Sequence, residues 1–214
     1  MQNIKEIEEE IFRTTCDHIK GQPELYGAIF GHPFQDALLN HGLQQVPEEF
    51  AHVLWNLFGL KTTKYSNILE IGVASGYSVL IFNKFLDVDT FTLIDDGKHK
   101  RFSQHKNTLS GINYDLFVGD SASEEAVDFV ERKNVTFDLI HIDGNHDYDY
   151  VIKDFKRYSK FLSDDGVIIL HDSLHLDGPR RVLIEMYRLE HNGFRVLCNI
   201  GNRFGSAIIG RARV

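Results

Sequence analysis

The sequence predicts an α/β fold in which a mostly parallel, seven-stranded sheet is covered by helices on both faces. From residue 67 onward, apolar runs alternate with helical patterns, which indicates right-handed crossovers between parallel strands. The five predicted parallel strands lie near residues 67–71, 90–94, 114–118, 137–142 and 166–170. After a predicted helix at about 180–191, the apolar runs 194–197 and 206–209 flank a glycine-bearing turn at 201–205. That pair of runs predicts a C-terminal antiparallel hairpin.

Two amphipathic helices are predicted before the first strand. Ile4, Ile7 and Ile11 share one helical face, and a second apolar stripe follows Pro47, a residue that suits a first helical turn. Between them, residues 26–34 are rich in aromatic side chains and form a candidate lid over a substrate. We predict one domain over residues 1–214, with a helical N-terminal cap at 1–64 and a core at 65–214.

Composition narrows the classes of partner. The net charge of −8 comes from 23 basic and 31 acidic residues, and no basic run marks a phosphate-binding surface, so nucleic acid is not an expected partner. Cys16 and Cys198 are far apart and are expected to be reduced thiols. The first residues lack a signal-peptide pattern and no apolar run would span a bilayer, which predicts a cytoplasmic protein without membrane contact. Assembly as a homo-oligomer stays open.

The first strand ends in a turn that is typical of a nucleoside-binding site. Residues 68–76 run from apolar side chains through an acid into a glycine turn and a helix. Glycine lets the backbone approach a ligand, the helix start offers unpaired N–H groups, and a carboxylate can bind ribose or amino groups. The alternative is a strand-to-helix turn that binds nothing. The candidate cofactor contacts are Glu70, Gly72, Ala74, Ser75 and Gly76.

An acid at the end of the second strand supports the same interpretation. Asp95 lies about 20 residues beyond the glycine turn, the offset of a carboxylate that binds ribose hydroxyls. Asp95 is therefore the predicted ribose ligand, with Asp96 as the alternative. The pattern Glu70-x-Gly72-x-x-x-Gly76 lacks the G-x-G-x-x-G spacing of dinucleotide folds and resembles motif I of the class I S-adenosylmethionine-dependent methyltransferases.

This resemblance implies a Rossmann-like methyltransferase fold and S-adenosylmethionine (SAM) as cofactor. It also implies that the acid-containing turn after the third strand, with Asp120 and Ser121, lies beside the adenine ring. The alternative role for these residues is to cap the helix that begins near Ser123. The two roles are compatible.

Four polar residues follow the fourth and fifth strands. The strand ends are expected to be adjacent, which would bring Asp143, His146, His171 and Asp172 toward one point. Two carboxylates and two imidazoles can bind a divalent cation, perform acid–base chemistry, or both. His141 lies within the strand and is expected to be a hydrogen-bonded core residue. The other histidines considered, His99, His105 and His175, are expected at the surface or at the rim of the site.

The segment from Phe137 to Tyr148, with the His171-Asp172 pair, resembles the family of macrocin-type O-methyltransferases and cephalosporin-hydroxylase-like proteins. The resemblance covers about residues 47–175. It implies that Asp143 and Asp172 bind Mg²⁺ and that His146 is the base that removes a hydroxyl proton, with Asp143 beside it in the catalytic site. His171 departs from the family pattern, which has two acids, or an acid and an asparagine, after this strand. A histidine there suits another divalent cation, a transition metal, better than Mg²⁺.

Together these patterns predict a SAM-dependent methyltransferase that methylates the hydroxyl of a small molecule such as a sugar or natural product, with or without a metal ion. Two alternatives come from other classes. An NAD-dependent oxidoreductase would also have a strand, a glycine turn and an acid, but the missing third glycine and the terminal hairpin argue against it. A non-catalytic binding module on the same fold is the other. A hydroxylase is disfavoured because no facial triad of two histidines and a carboxylate is evident.

Overall fold

The computed structural model describes residues 3–20, 46–60, 64–188, 193–201 and 204–212. The candidate lid at 26–34, the side chain of Cys16 and the tip of the C-terminal turn lie outside the described residues. The helices and strands, numbered in chain order, are α1 (Ile4–Lys20), α2 (Pro47–Leu60), β1 (Asn67–Ile71), α3 (Tyr77–Phe85), β2 (Thr90–Asp95), α4 (His105–Thr108), β3 (Tyr114–Val118), α5 (Glu124–Glu131), β4 (Phe137–Ile142), α6 (Tyr148–Tyr158), β5 (Leu162–His171), α7 (Asp177–Arg188), β6 (Phe194–Ile200) and β7 (Ser206–Arg211).

The sheet has seven strands in the order β3-β2-β1-β4-β5-β7-β6. The five strands from β3 to β5 pair in parallel, and β7 inserts antiparallel between β5 and β6. This confirms the predicted α/β fold with its terminal hairpin. Strand β5 begins at Leu162, four residues before the predicted start, and the residues it adds are mostly polar and partly exposed. The division into a cap at 1–64 and a core at 65–214 stays a prediction.

Apolar side chains from the sheet are buried in two layers. On one face, Ile68 packs in a cluster with residues of α1, α2 and α3, among them Ile7, Leu54 and Phe82. On the other face, the next residue, Leu69, packs with residues of α5, α6 and α7. Alternation along β1 therefore feeds both layers, as expected for a strand in the middle of a covered sheet.

Because both faces are covered, the carboxyl ends of the strands are the natural place for a ligand. The order of the strands reverses at β1, which lies between β2 and β4. Ligands of open α/β sheets bind beyond such a switch point. In the part of the chain that is described, no helix combines the length and apolarity needed to cross a bilayer.

Candidate active site

A cavity of about 740 Å³ opens at the carboxyl ends of β1 to β5. Small-molecule sites usually have volumes of roughly 300–1,000 Å³. The predicted site residues on its wall are Gly72, Ala74, Ser75, Asp95, Asp96, Asp120, Ser121, Asp143, His146, His171 and Asp172. Glu70 and Gly76 are not on this wall. The structure therefore brings most of the predicted cofactor contacts and all four residues after β4 and β5 into one cavity.

The glycine turn, residues 72–76, contacts the turn that follows β4. Gly72 has φ +89° and Gly76 has φ +81°, backbone conformations that favour glycine. A Cβ atom on Gly72 would lie 2.1 Å from the carbonyl oxygen of Asp143. Gly72 is thus required by the close approach of the turn after β4, and the glycine turn and Asp143 are held in contact.

The carboxylate of Asp95 holds the glycine turn in shape. Its Oδ2 accepts hydrogen bonds from the N–H groups of Val73 (2.7 Å) and Ala74 (2.8 Å), and its Oδ1 accepts from Gly97 N–H (2.7 Å). Asp96, which is more exposed, instead pairs with Lys98 Nζ at 2.8 Å. Both carboxylates reach the cavity wall. A ribose contact by Asp95 would have to share or replace its three backbone bonds, whereas Asp96 would have to share or replace one backbone bond, from Lys98 N–H, and its pairing with the Lys98 side chain.

Glu70 lies beneath the cavity in a buried polar group. It accepts a hydrogen bond from the Ser78 hydroxyl, and its Oε2 lies 3.5 Å from Nδ1 of His141. Glu70 and His141 are essentially inaccessible to solvent. The prediction that Glu70 touches the cofactor does not fit this position. His141 is a core residue as predicted, but neither of its ring nitrogens meets hydrogen-bond geometry with a partner.

The turn after β3 is available for a ligand. Ser123 caps α5 by accepting a hydrogen bond from Ala126 N–H at 3.2 Å, so the cap does not depend on Asp120 or Ser121. The Tyr158 hydroxyl donates to the carbonyl oxygen of Ser121 at 2.6 Å and fixes this turn from below. The predicted adenine-side residues therefore lie on the cavity wall without serving as the helix cap.

Asp143, His146, His171 and Asp172, called here the Asp/His cluster, meet beyond β4 and β5. His146 Nε2 lies 3.3 Å from Asp143 Oδ1 and 3.0 Å from Asp172 Oδ2. His171 Nδ1 lies 3.0 Å from Asp143 Oδ1 and 3.5 Å from Asp172 Oδ1. One ligand atom from each side chain can be chosen so that all lie within 4.8 Å of one another. The predicted convergence of these residues is thus observed.

Asp172 occupies a backbone conformation that few residues adopt. Its φ of +56° is in the left-handed region, which costs a non-glycine residue roughly 1–3 kcal/mol. The N–H groups of the next two residues, Ser173 and Leu174, donate to carbonyl oxygens of Gly205 and Phe204 at 3.0 Å. The turn between β6 and β7 therefore holds the strained backbone that points Asp172 into the cluster.

Mutual contacts shift the pKa values in the cluster. Burial favours a neutral His146 ring, but Asp143 and Asp172 outweigh burial and raise its pKa to about 9. Burial would raise the pKa of Asp143, yet His171 and His146 hold that pKa well below its usual range. Asp143 and Asp172 also raise the pKa of His171, despite the burial of its ring. His146 is therefore mostly protonated at neutral pH in this arrangement.

The three histidines expected at the surface or rim have different environments. His99 lies on the cavity wall and His175 is exposed with its ring 5.2 Å from that of Phe204, as expected for rim and surface residues. His105 is buried, contrary to the prediction, because its ring packs against Phe102 and its Nδ1 bonds the carbonyl oxygen of that residue. The helix that carries His105 is too short to show a clear apolar period in the sequence.

Several wall residues were not predicted from the sequence. Asn145 and Tyr150 flank His146 in the turn after β4 and the start of α6, so their position next to a strand end was an available signal. Phe204 reaches the same cavity from the distant turn before β7. No local pattern marks Phe204, since only the antiparallel insertion of β7 brings it there.

A comparison with protein families identifies the group to which this site belongs. A family model described as a methyltransferase domain matches residues 69–173, which span the glycine turn and the whole Asp/His cluster. The match and the fold support a class I SAM-dependent methyltransferase. The methyltransferase fold accounts for the antiparallel β7, which a dinucleotide-binding oxidoreductase would not have, and so argues against the NAD alternative. The narrower macrocin-type grouping stays a prediction.

One curated protein and two solved structures that are similar to this chain are distant from it in sequence. Uncharacterized protein R132 of Acanthamoeba polyphaga mimivirus is 25% identical over 127 residues, which cover 56% of this chain and 58% of that protein. The chain thus spans just over half the length of this curated relative. Among solved structures, the O-methyltransferase TomG of Streptomyces achromogenes, involved in tomaymycin synthesis and in complex with SAM, is 15% identical with a TM-score of 0.62, covering 95% of this chain and 89% of that one. The O-methyltransferase of Bacillus cereus, in complex with SAH, is 16% identical with a TM-score of 0.61, covering 92% and 96%.

Proposed function

We propose that the protein transfers the methyl group of SAM to a hydroxyl group of a small molecule that binds above the Asp/His cluster. The observation that carries this proposal is the contact between Gly72 and Asp143, which joins the glycine turn and the cluster in one cavity. The match of residues 69–173 to a methyltransferase-domain family supports the methyl donor. The O-methyltransferases from Streptomyces and Bacillus, which share the fold and bind SAM or SAH, support a hydroxyl as acceptor.

The cavity wall fits a nucleoside cofactor. The backbone of the glycine turn, the carboxylates of Asp95 or Asp96, and the turn at Asp120 and Ser121 offer groups that bind an amino acid, a ribose and an adenine, respectively. SAM supplies an electrophilic methyl carbon on a sulfonium. The residues of this chain would hold that carbon at the boundary between the glycine turn and the Asp/His cluster.

The cluster would orient the acceptor and stabilise the loss of its proton. A hydroxyl is a weak nucleophile at neutral pH. A protein can assist its in-line displacement by aligning the hydroxyl with the methyl carbon and by promoting the loss of its proton. The hydroxyl oxygen forms a bond to the methyl carbon, the carbon–sulfur bond breaks to release SAH, and the hydroxyl proton leaves to solvent water, because the raised pKa keeps His146 mostly protonated at neutral pH. His146, whose side chain is 34% exposed, is the most accessible of the four and would lie nearest the acceptor. A vicinal diol would offer two oxygens to such a cluster.

The cofactor assignment is tested by titration calorimetry with SAH. The wild-type protein is expected to bind SAH with micromolar affinity. Double substitution of Asp95 and Asp96 by alanine is expected to abolish binding, because both candidate ribose ligands are lost. Asp115→Asn, which removes an exposed carboxylate paired with Lys133 away from the cavity, is the control. Absence of SAH binding by the wild type would reject the proposal.

Single substitutions then separate the two acids. If Asp95 binds ribose, Asp95→Ala loses SAH and Asp96→Ala retains it. If Asp96 is the ribose ligand, Asp96→Ala loses SAH too, so this variant decides between the two acids. Asp95→Ala weakens binding in either case because it releases the glycine turn. His146→Ala is expected to retain SAH binding and to lose methyl transfer to a hydroxyl acceptor, measured as SAH released. Normal transfer by this variant would show that His146 takes no part in the reaction.

A further inference from the structure

We infer that the Asp/His cluster is a metal site in which both imidazoles are ligands, and that it binds a transition metal such as Zn²⁺ in preference to Mg²⁺. The inference deepens the proposed function, on which its catalytic meaning rests. It disagrees with the Mg²⁺ site that the sequence resemblance implies, in which carboxylates supply the ligands.

The donor atoms are the first argument. Mg²⁺ prefers oxygen ligands in an octahedral arrangement and retains several waters. The cluster offers two imidazole nitrogens with two carboxylates, a mixed set that suits zinc and its neighbours among the first-row metals. Among the described residues, no other group of His, Cys, Asp and Glu side chains converges closely enough to hold an ion. The set therefore does not fit Mg²⁺ well.

The distances are the second argument. The four nitrogen–oxygen separations between neighbouring members are 3.0, 3.0, 3.3 and 3.5 Å. In a tetrahedral zinc site with bonds of about 2.0–2.1 Å, two ligand atoms are about 3.3 Å apart. The four ligand atoms lie within 4.8 Å of one another, so the widest pair would have to close by at most about 1.5 Å to bind a tetrahedral ion. The four side chains come from two adjacent strand ends, so their spacing is set by the sheet.

The state of His171 is the third argument. Its side chain is only 6% exposed, and its Nδ1 points at the carboxylates without meeting hydrogen-bond geometry. A buried polar atom that lacks a hydrogen bond destabilises the folded protein. A metal ion bound to Nδ1 would satisfy this nitrogen and both carboxylates together. With His146 also coordinated, that residue would be a ligand, not the free base predicted from the sequence.

The test uses protein stripped of metals with a chelator and titrated separately with ZnCl₂ and MgCl₂ in a calorimeter. The expected result is one equivalent of Zn²⁺ bound at least roughly 100-fold more tightly than Mg²⁺. Co²⁺, added as a spectroscopic probe, should give visible absorption bands typical of four-coordinate nitrogen–oxygen sites. Tighter binding of Mg²⁺, or no binding of either ion, would overturn the inference.

Variants identify the ligands. His146→Gln is expected to weaken Zn²⁺ binding by at least roughly 100-fold, since even residues that only support a ligand cost 10–100-fold. His146 is partly exposed, so this variant should fold, whereas substitution of buried His171 risks the fold. His175→Gln is the matched control, an exposed histidine outside the cluster. Unchanged Zn²⁺ affinity in His146→Gln would remove His146 from the ligand set.

The same stripped protein is titrated with SAH, which separates the two proposals. Binding of SAH without a preference for Zn²⁺ would reject the metal inference and leave the methyl donor in place. Binding of Zn²⁺ without any binding of SAH would reject the proposed function and leave the metal site.

Discussion

Gly72 is the residue at which the glycine turn and the Asp/His cluster touch. A side chain there would collide with the carbonyl oxygen of Asp143, and the positive φ adds strain for any L-residue. Gly111 has nearly the same backbone conformation, φ +83°, but no atom lies within 4 Å of the position that a Cβ would take there. The two glycines therefore separate backbone strain from steric collision.

We expect Gly72→Ala to destabilise the protein by about 1–3 kcal/mol more than Gly111→Ala, because overpacking adds to the shared cost of a left-handed conformation. Urea unfolding followed by circular dichroism measures the difference. Gly72→Ala should also weaken SAH binding, while Gly111→Ala should keep it. Equal losses of stability in the two variants would show that the collision is relieved by a small shift.

At this scale the sequence predicts where polar residues gather better than what each one does. The convergence of Asp143, His146, His171 and Asp172 follows from strand order, because carboxyl ends of neighbouring parallel strands meet. Glu70 adjoins the glycine turn and so resembles a cofactor ligand in the sequence, but it lies within β1, where alternation buries it against His141. The pKa of His146 could not be predicted, since it depends on both carboxylates.

Helix α2 stabilises the Asp/His cluster from a distance. Glu49, in its first turn, is buried and accepts hydrogen bonds from Phe204 N–H and Gly205 N–H, both at 3.1 Å, and from the Ser206 hydroxyl at 2.9 Å. The carbonyl oxygens of Phe204 and Gly205 in turn accept the hydrogen bonds that hold the backbone after Asp172. An acid of the N-terminal helices thus supports a residue at the end of β5.

We expect Glu49→Gln to lower the free energy of unfolding by about 2 kcal/mol, because charge-assisted hydrogen bonds are lost and a buried amide replaces a carboxylate. Thermal and urea unfolding measure the effect. Glu9→Gln, an exposed substitution on α1, is the control and should leave stability within about 0.5 kcal/mol. A stable Glu49→Gln protein would indicate that the turn before β7 holds itself.

At the scale of elements, boundaries were predictable where apolar residues mark them. The predicted spans of β1, β3 and β4 coincide with the observed strands. The early start of β5 could not be predicted because residues 163–165 are polar, and a strand that begins in solvent carries no apolar signal. The role of Glu49 could not be predicted, because its partners are about 155 residues away in the chain.

The stability of the whole molecule depends on one buried carboxyl group, that of Asp154, whose ionisation opposes folding. Asp154, in the middle of α6, is inaccessible to solvent, and neither of its oxygens meets hydrogen-bond geometry with a partner. Burial raises the pKa of Asp154 to about 7. Because this pKa is higher in the folded than in the unfolded chain, Asp154 favours folding at low pH. Its contribution is lost as the pH rises from the unfolded pKa of about 4 to the folded pKa.

We expect Asp154→Asn to gain about 3 kcal/mol of stability relative to the wild type between pH 5 and pH 8, because an amide does not ionise. Urea unfolding of both proteins at several pH values gives the difference. Asp128→Asn, on the surface of α5, is the control and should track the wild type. A constant difference between Asp154→Asn and the wild type across this range would show that Asp154 does not titrate in it.

The cavity is walled mostly by turns, whereas the two apolar layers cover the two faces of the sheet and share only a few residues, such as Ile71 and Ile94, with the wall. Most wall residues can therefore change without altering the apolar layers. Asn145, Tyr150 and Phe204 line the opening without belonging to either apolar layer, and a library randomised at these three positions would explore new acceptors at little risk to folding. The acceptor specificity could therefore be changed by directed evolution at the cavity opening, while the apolar layers of the fold are left unaltered.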